Sequence, residues 1–157
     1  MTVKNNKAVI VLLLALVAGV IYLIWFLLRP VEIVAVHQDG NYSHILVKNF
    51  PLTEKGKIDW WLMNKDMLKQ RYGIPKPASC GAFTIVFWDF SGGYMEEGKY
   101  DRRCFADMKP PVNCIEKNKE FTVGRGTDSD IYFGVDDGIY RMKENGEMTK
   151  RKYKPNL

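Results

Sequence analysis

No acidic side chain precedes Glu32, and no charged residue of either sign lies between Lys7 and Arg29. Histidine is nearly absent: His37 and His44 are the only two in 157 residues. Cysteine is confined to Cys80, Cys104 and Cys114, with no CxxC spacing. These absences narrow the chemistry. A tetrahedral zinc site lacks the CxxC element and flanking histidines that would complete it. The glycine-rich stretch Gly124-Arg125-Gly126-Thr127 lacks the GxxxxGK[ST] spacing that cradles phosphate. There is no internal repeat and no low-complexity segment.

The uncharged stretch is itself the dominant signal. Ala8 to Leu28 is 21 apolar or uncharged residues, and at roughly 1.5 Å per helical residue it spans the ~30 Å hydrocarbon core of a bilayer. Lys4, Lys7 and the terminal amine flank its start, and short positive flanks stay cytoplasmic, so residues 1–7 are expected in the cytoplasm and the rest of the chain across the membrane. Tyr22, Trp25 and Phe26 sit at the far end, where amphipathic rings favour headgroups. Arg29 can snorkel, and Pro30 biases it away from helical geometry. A cleaved signal peptide has a shorter core, about 7–15 residues, and small residues at its exit. Trp25, Phe26 and Leu28 stand there instead, so an uncleaved anchor is expected. No cysteine directly follows the run, which leaves a lipoprotein unsupported. Ala15 and Gly19 have small-xxx-small spacing, but two small residues facing lipid is the simpler reading.

Residues 29–157 form a stretch suited to one domain with a modest core. The chain carries 23 basic and 18 acidic residues, and without Lys4 and Lys7 the balance is +3. That is a mixed surface with no nucleic-acid footprint. Lys150, Arg151, Lys152 and Lys154 crowd the C-terminus, where a solvated tail is expected ahead of contact with anionic lipid. Cys104 and Cys114 enclose nine residues including Pro110, Pro111 and Asn113, a loop that turns easily. A disulfide between them is expected in an oxidising compartment, worth about 3 kcal/mol by loop closure. Cys80 is then left free or bridges two chains.

Hydrophobic patterning predicts an α+β domain, a mainly antiparallel sheet with one principal helix. Val31 to His37 and Ser43 to Phe50 read as a hairpin around Asp39-Gly40-Asn41. A helix is predicted over Ile58–Tyr72, capped by Gly73 and stopped by Pro75. At 100° per residue, Ile58, Trp61, Leu62, Leu68 and Tyr72 share the face expected to dock on the sheet. Trp60, Met63 and Met67 form a second stripe on the opposite face, to be covered by the loop after Gly73 or used as a binding surface. Ala82–Phe90 reads as a central strand buried on both faces. Tyr94–Tyr100 reads as a polar edge strand. Short strands are expected at 120–123, 130–135, 139–143 and 147–153, with turns at Asp137-Gly138 and Asn145-Gly146.

No catalytic residues and no cofactor emerge from the pattern. His37 and His44 could be cross-strand neighbours, but only Asp39 offers a local third ligand, so exposed polar residues on a hairpin are expected and no metal. Asp89, Glu96, Glu97 and Asp101 interleave with Lys99, Arg102 and Arg103, a pattern explained by surface charge pairs more simply than by acid–base hydrolysis. Asp128-Ser129-Asp130 lacks calcium-loop spacing, since Tyr132 stands where a third oxygen ligand belongs. Asn41-Tyr42-Ser43 matches a glycosylation sequon that carries little meaning in a bacterium.

Several segments together resemble a known family: Arg29-Pro30-Val31-Glu32-Ile33-Val34-Ala35-Val36-His37, Asn49-Phe50-Pro51, Ile58-Asp59-Trp60-Trp61, Ile74-Pro75-Lys76-Pro77-Ala78 and Phe87-Trp88-Asp89-Phe90, followed by Glu97-Gly98-Lys99-Tyr100-Asp101 and the Cys104/Cys114 pair. The chain is similar to the enterobacterial domain-of-unknown-function family 943. The resemblance implies a small inner-membrane protein with one N-terminal anchor and a periplasmic domain, and it carries over no catalytic residue. Cys80 lies outside these segments.

The expected function is that of a periplasmic binding protein held to the bilayer through residues 8–28, an immunity protein that neutralises a secreted antibacterial toxin being the leading case. Trp60, Met63 and Met67 on the helix and the acidic pair Glu96-Glu97 are its candidate partner contacts. The alternative is an accessory subunit of an inner-membrane assembly, making contacts through the anchor itself. An envelope enzyme using Asp89 or Glu97 is the third reading.

Overall fold

A computed structural model describes residues 2–154, which divide into two compact units at Pro30/Val31. The first is helix α1, Thr2–Leu27, prolonged by a Leu28 N–H to Ile24 carbonyl bond of 3.0 Å. Within it, Asn6–Leu27 is long and apolar enough to cross a membrane, and none of it is buried against protein. Its large side chains are exposed all round the helix, as a lipid-facing segment requires. The Arg29 guanidinium folds back over the Trp25 ring, 4.2 Å from its centroid.

The second unit is α+β and built in three layers. Strands β1 (Glu32–Asp39) and β2 (Tyr42–Lys48) form the expected hairpin around Gly40-Asn41, with Gly40 at φ +58°. A bulge at Val34 shifts the register early in β1. Helix α2 (Glu54–Tyr72) then crosses over to β3 (Phe83–Asp89), which pairs parallel to β2. The remaining pairings are antiparallel: β7 (Lys119–Arg125), β8 (Ile131–Val135), β9 (Gly138–Met142) and β10 (Met148–Lys152) extend a seven-stranded sheet of order β1-β2-β3-β7-β8-β9-β10. Between β3 and β7 the chain makes a separate small sheet from β4 (Met95–Glu96), β5 (Arg103–Cys104) and β6 (Val112–Ile115), of order β4-β6-β5. The polar edge strand expected over Tyr94–Tyr100 is therefore only the two residues of β4, and it belongs to this second sheet.

Alternation along the strands assigns side chains to two faces. Ile45, Val47, Phe83, Ile85, Phe87, Phe121, Val123 and Phe133 point to the helix side and pack with Ile58, Trp61 and Leu68 of α2. Leu46, Val86, Trp88 and Phe90 point the other way and are covered by Phe105 and Ile115 of the small sheet. β3 is buried on both faces, as its sequence implied.

Helix α2 begins four residues earlier than the pattern predicts. Thr53 caps it, accepting a 3.0 Å bond from the Gly56 N–H, and Glu54 sits in the first turn, where negative charge is favoured. Gly73 closes it in the left-handed conformation at φ +66°. Charged residues supply two further ties. Buried Lys57 donates to the Glu120 carbonyl (2.7 Å) and carboxylate (2.8 Å), locking α2 to β7. Lys150 donates to Glu54 at 2.8 Å and to Asp137 at 2.7 Å, while the Tyr140 hydroxyl donates to Glu54 at 2.7 Å. Lys150 thus belongs to strand β10 and a charge network, not to a solvated tail; these partners hold its pKa above the ordinary lysine range.

Candidate functional site

The hairpin register sets His37 directly opposite His44, and both side chains project onto the face beneath the small sheet. They are 6% and 4% exposed, which overturns the expectation of exposed polar residues on a hairpin. The reason is the second layer. The segment from Tyr94 to Ile115, closed by the Cys104–Cys114 disulfide, lies over them as a cap.

The cap supplies most of the histidines' partners. Phe105 stacks on the His37 ring at 3.9 Å between centroids and 12° between planes. The His37 Nδ1–H donates to the Asp107 carboxylate at 2.9 Å, and Nε2 meets the Tyr94 hydroxyl at 2.8 Å. His44 is held differently. Trp88 Nε1–H donates to its Nδ1 at 3.1 Å, and Arg103 Nη2 lies 2.7 Å from its Nε2. Arg103 also reaches Asp39 at 3.7 Å. Arg103, Phe105 and Asp107 alternate along the chain beside Cys104, so one short disulfide-pinned stretch touches both rings.

The electrostatics follow from burial. His44 is pulled down from 6.5 to about 4, first by loss of solvent and then by the Arg103 charge. Tyr94 is pushed up, first by burial and then by the Asp107 carboxylate. The chain Tyr94–His37–Asp107 has the connectivity of a proton relay. Its phenol is nonetheless driven toward the protonated form, away from a nucleophilic phenolate. Among the described residues no group of three His, Cys, Asp or Glu side chains is placed to hold a metal ion.

The structure separates the two sets of candidate partner contacts. Trp60, Met63 and Met67 belong to α2 on one side of the main sheet, and Glu96 and Glu97 to the cap on the other. Trp60 is not on an opposite, free stripe: its ring packs edge-on against Phe50 at 5.4 Å and Phe87 at 5.8 Å. Met67 is also packed against this core, and Met63 alone of the three is exposed, at 77%. The helix beds into the twisted sheet so that its flank as well as its base is covered, with Phe50 just beyond β2 and Ile74 of the loop after Gly73 both buried in the core that Trp60 and Met67 pack against. On the cap, Glu96 and Glu97 are both exposed, and Glu96 pairs across β4–β6 with exposed Val112. Tyr100, in the same segment, is 76% exposed.

Asp89 and Asp101, grouped with the acidic pair Glu96-Glu97 in the sequence, are engaged in surface bonds. Asp89 accepts from Ser91, Asp101 pairs with Lys117, and Arg102 bridges the Glu96 carbonyl and Glu116. The expected disulfide is formed, and Cys80 is free and exposed. Sequence reasoning noticed that His37 and His44 could face each other. It missed their burial, for which the available signal was the phenylalanine and aspartate set one and three residues after Cys104.

Comparison with curated proteins and with solved structures finds no match. Residues 3–152 match the family described as "Enterobacterial putative membrane protein (DUF943)", and the chain belongs to that family.

Proposed function

We propose that this protein is a binding module, not an enzyme, that a single inner-membrane anchor holds in the periplasm. Membership of a membrane-protein family and the exposed apolar helix α1 support the association with lipid. The direction of insertion is inferred from Lys4 and Lys7 ahead of the helix. A disulfide that closes the cap suits the oxidising side of that membrane.

The observation that carries the binding reading is the outer surface of the cap. Val112, exposed and paired across the small sheet with Glu96, and exposed Glu97 and Tyr100 lie on a segment closed by the disulfide and bonded to the sheet through the histidines. Ordered apolar surface rimmed by charge is what a protein partner uses, and the acidic pair suits a basic partner through steering more than through raw affinity. A secreted toxin acting in the envelope is the partner class we put forward, with this chain as its immunity protein. Tethering at the bilayer would raise the effective concentration of the binder where such a toxin arrives.

Affinity capture of the anchored protein from its own cells, with expression of the genes encoded beside it, tests the reading. A stoichiometric neighbour-encoded toxin supports it, provided that reversing the charge of Glu96 and Glu97 weakens the complex about tenfold or more. Recovery of a resident membrane complex that depends on the α1 sequence would replace it with an assembly-subunit role.

A further inference from the structure

Both histidines of the chain are buried under the cap, directly opposite each other on the hairpin. Their contacts are not equivalent. His37 is satisfied in either charge state: its Nδ1–H donates to Asp107, and its Nε2 can accept from the Tyr94 hydroxyl or donate to that oxygen. His44 is not. Both of its ring nitrogens face groups that can only donate, the Trp88 indole N–H and the Arg103 guanidinium. A neutral imidazole accepts from one of them. An imidazolium opposes donors on both sides and adds a positive charge 2.7 Å from another.

We propose that the segment Tyr94–Ile115 is an acid-released lid: a proton taken up by His44 removes its one acceptor nitrogen, leaves the Arg103 and Trp88 donors facing ring N–H groups, and frees the lid from the sheet. The charged groups around His44 set the response. From the lid come Arg103, which opposes the proton, and Asp107, which favours it; from β1 come Asp39, which favours it, and His37, which opposes it. Burial and Arg103 outweigh the two carboxylates while the lid is shut, and opening removes both penalties. The Cys104–Cys114 bond lies wholly within the lid, so the segment can leave the sheet as one closed piece. What it uncovers is Leu46, Val86, Trp88 and Phe90, an apolar strip along β2 and β3 that the lid otherwise buries. This inference does not depend on the binding role proposed above.

Hydrogen exchange on the full chain in lipid nanodiscs tests it, comparing about pH 7 with about pH 4.5 after correction for intrinsic exchange. If the open ring regains its ordinary value, the opening constant rises about 60-fold over that interval. Peptides from 94–115 should lose protection by that order, while those from α2 and β7 keep theirs. The variant His44→Gln, which does not titrate, should abolish the difference, and His37→Gln should leave it in place. Uniform loss of protection across the domain, unchanged protection of 94–115, or a full response in His44→Gln would each overturn the proposal. The peptide pattern of the unmodified chain decides the matter even where a variant fails to fold.

Discussion

His44 sits between Trp88 and Arg103 with no room for a second ring proton, and that fixes the sign of its effect on stability. Its folded value lies near 4 and its unfolded value near 6.5, so in that window the unfolded chain binds more protons. Stability should therefore fall as pH drops from about 6.5 to about 4 and level off below, by about 3 kcal/mol in all. Denaturant midpoints measured across this range would check it, and His44→Gln should flatten that part of the curve. The helix residues give a second contrast. Trp60→Ala removes a ring packed on Phe50 and Phe87 and should cost about 2–4 kcal/mol, whereas Met63→Ala should stay within about 0.5 kcal/mol. Equal effects in thermal unfolding would contradict the placement of Trp60 in the core flank. Helical periodicity could not make this distinction, because an angle on a wheel does not say how deeply a helix beds into a twisted sheet.

Local chemistry made most elements legible. Gly73 and Pro75 end α2, Gly40-Asn41 turns the first hairpin, and the alternation in 83–89 marks a strand covered on both sides. The cap was not legible. Its strands are two to four residues long, and they are held by a disulfide and by contacts to β1 and β3 rather than by their own pattern. The start of α2 was missed because its first turn is polar and is defined by Thr53, not by an apolar residue. Two predictions belong here. Replacing Cys104 and Cys114 by serine should cost about 3 kcal/mol by chain entropy and raise exchange in 94–115 first. Gly138→Ala should be worse than its size implies. A Cβ there would stand 2.5 Å from the Arg151 carbonyl and 3.0 Å from the Lys152 Cα, both backbone atoms. A loss of about 1–3 kcal/mol, with β10 fraying before β8, is expected from denaturation and amide exchange.

At the scale of the whole molecule the sequence divides the labour between a lipid-facing helix and a three-layered domain. The two faces of the main sheet differ: α2 covers an apolar core on one, and the cap encloses paired histidines on the other. The surface most suited to a partner lies on the cap, so helix and cap contacts cannot form one continuous patch. The central claim is that this domain stands in the periplasm, and Cys80 offers a direct probe because it is the one exposed free thiol among the described residues. The measurement is labelling of intact spheroplasts with a membrane-impermeant maleimide, followed by mass spectrometry. The account predicts modification of Cys80 without lysis, with Cys104 and Cys114 labelled only after denaturation and reduction. Labelling of Cys80 only after the membrane is broken would put the domain in the cytoplasm and contradict the account.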